Sequence, residues 1–293
     1  MATRDSKEGS SPKQTNTKNR KPNNPFGKKS VRQPDTGTRL SALEIHENIR
    51  APAVEELERP ASALFFSSLA AGMLIGFSFL TSAFVSHYAP EAYKHPLAAM
   101  AYPVGFMFVI MGRNELFTEN TLEPVIPLLH NRDAKTLKQM LRMWGILIAG
   151  NLLGALLFGW IIGATTIIDG PLHPTLQTVA AESTQGGFGQ VFYKALFAGW
   201  LIALLTWLLA STVDSIAQLF LIWVTTAPIA AFHFRHSIAG SVEAFYRAVT
   251  ASAGWGDMLG GFVVPALLGN AVGGVLLVAL FNYAQVAEEH QSG

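Results

Sequence analysis

From residue 61 onward the chain is a succession of long uncharged runs divided by short polar interruptions. Ala61–Ser86, Met143–Ile168, Ala195–Val213 and Met258–Val286 contain no Asp, Glu, Lys or Arg. A helix of about 20 residues crosses the ~30 Å hydrocarbon layer of a bilayer, so each run predicts a spanning helix. Two further runs fit less well. Pro96–Met111 has 16 residues, about 24 Å of helix, and falls short. Ser215–Phe234 contains Pro228 and His233 and runs straight into Arg235 and His236. Taken as single segments with a break, these two bring the count to six and predict an all-α membrane protein whose second and fifth segments are interrupted.

The pattern repeats. "AGNLLGA" at 149–155 returns as "LGNAVGG" at 268–274, and "LAAGMLIG" at 69–76 as "LFAGWLIA" at 196–203. Small residues at these spacings suit close packing of membrane helices. Asn151 and Asn270 are 119 residues apart, and Thr118 and His236, one from each broken segment, are 118 apart. Three segments repeated after an odd number of crossings are inverted in the membrane, which points to a substrate path between two interrupted helices.

The rest of the chain divides around this pore domain at 61–287. Residues 1–38 are rich in Ser, Asn, Lys, Pro and Thr and bury too little apolar surface to offset ordering entropy. They are expected to form a disordered basic tail, with a contact to anionic lipid as the sharper reading. Residues 39–60 space Leu40, Leu43, Ile45 and Ile49 as an amphipathic helix, expected to dock on its own core. Residues 288–293 form a short tail. No cleavable signal is expected, because about sixty polar residues precede the first apolar run.

Composition fits a membrane class: 50% of residues are hydrophobic, 14% are charged and the mean hydropathy is +0.30. Cysteine is absent, which excludes disulfides and thiolate metal sites. Charge sets the orientation. Of 21 Lys and Arg, twelve lie in residues 1–60 and four more between Arg132 and Arg142. With six crossings these fall on one side, expected to be the cytoplasm of a bacterial inner membrane, with both termini there. No nucleic-acid partner, cofactor or metal is expected.

The interruptions "GRNELFTEN" (112–120) and "FHFRHSIAGSVEAF" (232–245) carry Arg113, Glu115, Glu119, Arg235 and His236. Irregular backbone and charge are tolerated at membrane depth only inside the protein or against a water-filled cavity. Both are therefore expected to be loops in a pore wall. The helices after them would begin near Thr118–Thr121 and near His236–Ser237, with free N–H groups facing the lumen. Glu115 reads as a group holding the loop. Arg113 and Arg235 are expected to pair with Glu115 and Glu119. Lys194 reads equally as a vestibule charge or as a side chain reaching to the interface.

With these motifs in view the chain resembles the formate/nitrite transporter family over about residues 60–287. "ELFTEN" (115–120), "WGILIAGNLLGA" (144–155), "RHSIAGSVEAF" (235–245) and "FVVPALLGNAVGG" (262–274) occur in the right order and spacing. "IHENIRAPAVEELERPA" (45–61) is similar to the YfdC-like branch. The resemblance implies a homopentamer with an aquaporin-like pore in each protomer, passing a small monovalent anion or its conjugate weak acid, and no enzyme activity. It implies a pore histidine at His236 hydrogen-bonded to Thr118. It also implies an apolar constriction of Leu116, Phe117 and Phe106, and a second one of Tyr102 and Ile229.

Departures from the family are equally visible. Gly-Phe-Glu-His becomes His233-Phe234-Arg235-His236, and Gly240 and Gly199 stand where the family carries asparagine, so the resemblance implies the loss of two polar pore groups. Glu119 replaces a glycine, and so does Arg113. Three other readings stay open: a pore for water or small neutral solutes, a non-transporting sensor or scaffold, and an intramembrane metal enzyme using His233, His236 and Glu243.

Overall fold

The computed structural model describes residues 39–168 and 170–276. The expected tail at 1–38, the end of the sixth segment at 277–287 and the tail at 288–293 lie outside the described residues. Every regular element among the described residues is helical.

The first is α1 (Ala42–Leu57). Its start is written in "SALE": Ser41 Oγ accepts from the Glu44 N–H, and the Glu44 carboxylate accepts from the Ser41 N–H, a reciprocal capping box. Next, α2 (Ala61–Leu74) and α3 (Gly76–Tyr88) form one apolar rod of 28 residues, bent at Ile75. The short second segment is α4 (Lys94–Ala101) and α5 (Pro103–Met111). They are divided at Tyr102 because Pro103 offers no N–H to the helix ladder. After the loop the expected half-helix does not start at Thr118. A single 3₁₀ turn, Glu119–Thr121, comes first, and α6 (Val125–Asn131) begins only beyond Pro124. Proline disfavours helical backbone in the residue before it.

Next is α7 (Ala134–Ala164), which is longer than its apolar run. It absorbs Lys135, Lys138 and Arg142, which the charge pattern had placed in a linker. Asp133 caps it by accepting from the Thr136 N–H at 2.8 Å, a bond that holds its carboxyl below the usual range. A helix not foreseen, α8 (His173–Thr184), buries Leu176 and Ala180, one turn apart. It is mostly polar, so hydropathy does not mark it as a helix. Then come α9 (Phe188–Leu209), α10 (Ser215–Ala231), capped by Asp214, and α11 (Ser237–Val249). The sixth segment is α12 (Trp255–Met258), one π turn at Leu259–Val263 and α13 (Val264–Gly274). Among the described residues four rods are long and apolar enough to span a membrane, with Ser215–Ala231 a shorter fifth.

The repeat is realised as two helix pairs, α2 on α7 and α9 on α13. Each is brought together by glycine. A Cβ on Gly72 would run into the backbone of Asn151, and one on Gly199 into the backbone of Asn270. Gly154 and Gly273 meet the backbones of α2 and α9 in the same way. Gly199 therefore faces a neighbouring helix and not a lumen, which corrects the reading of that position as a lost pore asparagine. The docking of α1 is as expected: Ile49, Ala53 and Leu57 are buried, with contacts to α6, α7 and α9.

Gly199→Ala should push α9 off α13, whereas Gly145→Ala meets nothing within 4 Å. Overpacking costs about 1–3 kcal/mol, so the first variant should melt at a clearly lower temperature in detergent than the wild type, and the second should not.

Candidate functional site

The two interruptions are built alike. The N–H groups of Gly112, Arg113 and Asn114 bond the carbonyls of Phe108, Ile110 and Val109. Those of Phe232, His233 and Phe234 bond Pro228, Ala230 and Ile229 in the same order. Arg113 and His233 have φ of 55° and 52°, the left-handed region that glycine enters without penalty. Both are positions where the family resemblance leads one to expect glycine. Corresponding residues are thus 120 apart. The repeat mate of His236 is Leu116, so Thr118 and His236 meet across the pseudo-symmetry and are not counterparts.

One asparagine holds each loop. Asn151 Oδ1 accepts from the Phe117 N–H at 2.8 Å, and its Nδ2 donates to the carbonyls of Ser68 (2.7 Å) and Glu115 (2.9 Å). Asn270 Oδ1 accepts from the Ser237 N–H at 2.7 Å, and its Nδ2 donates to Ala195 (2.8 Å) and Arg235 (2.9 Å). Both side chains are fully buried. Each spends its acceptor and both donors on backbone that an interrupted helix leaves without partners. Trp144 also ties the first loop down, donating from Nε1 to the Asn120 carbonyl at 2.8 Å.

His236 stands where the loops cross. It is the N-cap of α11, and its Nδ1 accepts from the Ala239 N–H at 3.1 Å. With Nδ1 engaged as an acceptor, the neutral ring carries its proton on Nε2. That nitrogen lies 2.8 Å from Thr118 Oγ1, which leaves the threonine hydroxyl its own proton to donate. Phe106 meets the imidazole edge-on at 4.9 Å between ring centres, and Tyr102 lies 5.4 Å from Phe106.

A cavity of about 620 Å³ has this histidine in its lining. Tyr102, Ile229 and His236 line it together, and so do Arg235, Glu243, Gly240, Lys94, His95 and His233. Leu116, Phe117 and Phe106 are not part of that lining and are at most 2% exposed. Lys194 does not line the cavity either, although Lys94 does. Lys194 sits within α9, and its carbonyl accepts from the Arg235 N–H. Lys94, His95 and Glu182 were missed, because they come from separate polar stretches that only packing brings together. Glu243 had a visible signal, being the one acidic residue in α11.

The charges pair differently from expectation. Glu115 is bridged by Arg59 at 2.9 Å, and Arg59 also binds Glu56 of α1 at 2.8 Å. Glu115 further accepts from Asn120 Nδ2 at 3.0 Å. Arg113 is exposed, and Arg235 donates to the Gln185 carbonyl at 3.0 Å. Glu119 opens the short turn and is half-buried. Arg59, at the junction of α1 and α2, reaches the loop because α1 docks beneath it. Among the described residues no cluster of three or more His, Cys, Asp or Glu is placed to hold a metal.

A family profile described as "Formate/nitrite transporter" matches residues 43–284. The chain is 31% identical to the inner membrane protein YfdC of Escherichia coli, over 85% of this chain and 80% of that one. It is 23% identical to the formate channel BtFdhC of Bacillus thuringiensis, over 85% and 96%. Among solved structures, a pentameric formate channel with formate bound matches with a TM-score of 0.64 at 22% identity, over 78% of this chain and 98% of that chain.

Replacing a clamp by an apolar residue strands buried N–H and C=O groups, at about 1–3 kcal/mol each. Asn151→Leu and Asn270→Leu should each lower the melting temperature steeply and abolish flux in proteoliposomes. Arg113→Gly relieves a left-handed backbone worth about 1 kcal/mol, so this variant should melt at or above the wild-type temperature.

Proposed function

This chain belongs to the formate/nitrite transporter family, and on that basis we propose that it carries a small monovalent anion, or its conjugate weak acid, through a pore in each protomer. The observation that carries the reading is the buried Thr118–His236 hydrogen bond, with His236 in the lining of the cavity. A pentamer in a bacterial inner membrane, with both termini cytoplasmic, is part of the same proposal. The pentamer rests on the formate channel matched above, and the orientation on the basic N-terminal segment and Arg132–Arg142. Large apolar side chains such as Phe66, Phe84, Trp160, Ile216 and Phe220 are exposed on the protomer and suit contact with lipid or with neighbouring copies.

The chemistry follows from desolvation. A bare anion leaving the cavity for the packed layer of Phe106, Leu116 and Phe117 gives up its hydration to apolar walls at high cost. Its conjugate acid gives up far less. The anion first meets the N-terminus of α11, whose helix dipole favours negative charge, and the Thr118 hydroxyl. His236 Nε2–H fixes that hydroxyl as a donor toward the lumen. The pair is a polar station at which the anion, held by the Thr118 hydroxyl, takes a proton from the water of the cavity before the apolar step. Titratable and charged groups near this station on the cavity side are Tyr102, His233, Arg235 and Glu243.

Proteoliposome uptake of formate should rise as the bath is acidified. His236→Ala should reduce uptake by about tenfold or more, since each 1.4 kcal/mol of lost interaction is a factor of ten. Oligomer size and melting temperature should stay close to wild type. A variant that falls apart in detergent would make His236 a structural residue and remove it from the transport scheme.

A further inference from the structure

At the position equivalent to Glu115 in the other loop stands Arg235, a charge reversal within an otherwise symmetric pair. The two residues are treated differently. The Glu115 carboxylate is consumed by Arg59 and Asn120. Arg235 is 2% exposed and lines the cavity. Of its five N–H donors, one Nη2 hydrogen goes to the Gln185 carbonyl. Its buried Nε has no partner among the described residues. Glu243, also buried, lines the same cavity within electrostatic reach of Arg235. No ion pair joins the two among the described residues, although a buried guanidinium is costly without a partner.

We propose that Arg235 is a receiving subsite in the cavity for a planar, two-oxygen monoanion, a short monocarboxylate above all, held by its guanidinium before it reaches Thr118 and His236. The planar fork of arginine matches two coplanar oxygens and makes paired charge-assisted hydrogen bonds to them. A spherical anion such as chloride satisfies one direction only. A dianion brings a second charge into the same low-dielectric space, where its desolvation costs more than a single guanidinium returns, so dicarboxylates are rejected. The cavity, at about 620 Å³, leaves room for a body larger than formate. This inference rests on the anion-carrying function proposed above, and it adds the residue that discriminates among anions.

The test combines binding and flux on the full-length protein. Formate, acetate, chloride and succinate are titrated calorimetrically into detergent-solubilised wild type, Arg235→Lys and Arg235→Gln, and the same anions are followed in proteoliposomes. Arg235→Lys keeps the charge and can keep the bond to Gln185, so it guards against a variant that simply fails to fold. In the wild type, formate and acetate should bind and chloride and succinate should not. Arg235→Lys should weaken formate and acetate about tenfold, the loss expected for a paired charge-assisted bond, while the protein still assembles. Unchanged formate affinity in both variants would overturn the subsite. So would wild type that binds chloride or succinate as well as formate. A wild type that binds formate in this pattern yet passes no anion would defeat the transport function while leaving the subsite standing.

Discussion

The fold depends on one constraint: backbone that leaves a helix inside a membrane protein must find its hydrogen bonds within the protein. This chain breaks two of its six segments, and each break exposes N–H and C=O groups that water is not there to satisfy. Asn151 and Asn270 meet that demand from the helices packed behind the loops. They reach the loops only because glycine lets the paired helices approach to backbone contact at Gly72 and Gly199. Glycine spacing, asparagine clamp and broken helix are therefore one device used twice. The site exists because the device aims two loops at each other, so that Thr118 of one meets His236 of the other.

The symmetry is kept in the backbone and abandoned in the side chains. Equivalent positions carry the same left-handed turn but Arg113 against His233, and the same clamped carbonyl but Glu115 against Arg235. The first loop is tied through Arg59 to α1, so its acidic group is structural. The second opens on the cavity, with its cation facing a carboxylate and two histidines. The second loop thus lends its charge to the cavity, whereas Leu116 and Phe117 of the first are buried away from it.

Several expectations drawn from charge alone did not survive packing. Arg113 and Arg235 are close in sequence to Glu115 and His236, yet the partner of Glu115 is Arg59, 56 residues earlier. Lys194 read equally as a vestibule charge or as a side chain reaching to the interface; it does not line the cavity, whereas Lys94 does. Gly199 looked like a pore position emptied of its asparagine, and it is a helix contact. In each case the sequence showed that a charge or a small residue lies at membrane depth without showing which way it points, because a turn of helix or a loop rotates neighbours to different faces.

What the sequence determined by itself is what depends on local chemistry. Apolar runs of sufficient length must be helices, the short second run and the polar interruptions at 112–120 and 232–236 must break two of them, and a doubled small-residue and asparagine pattern must give two like halves. The meeting of Thr118 with His236 was also legible, through the family resemblance of the motifs that carry them. Only the tertiary structure decided the register of the repeat at 120 residues, the helix α8 that walls the cavity, and the gathering of Lys94, His95, Arg235 and Glu243 around one space. These depend on contacts between residues far apart in the chain, and hydropathy is blind to them, since a polar residue reads the same whether it faces bulk water, a buried partner or a lumen.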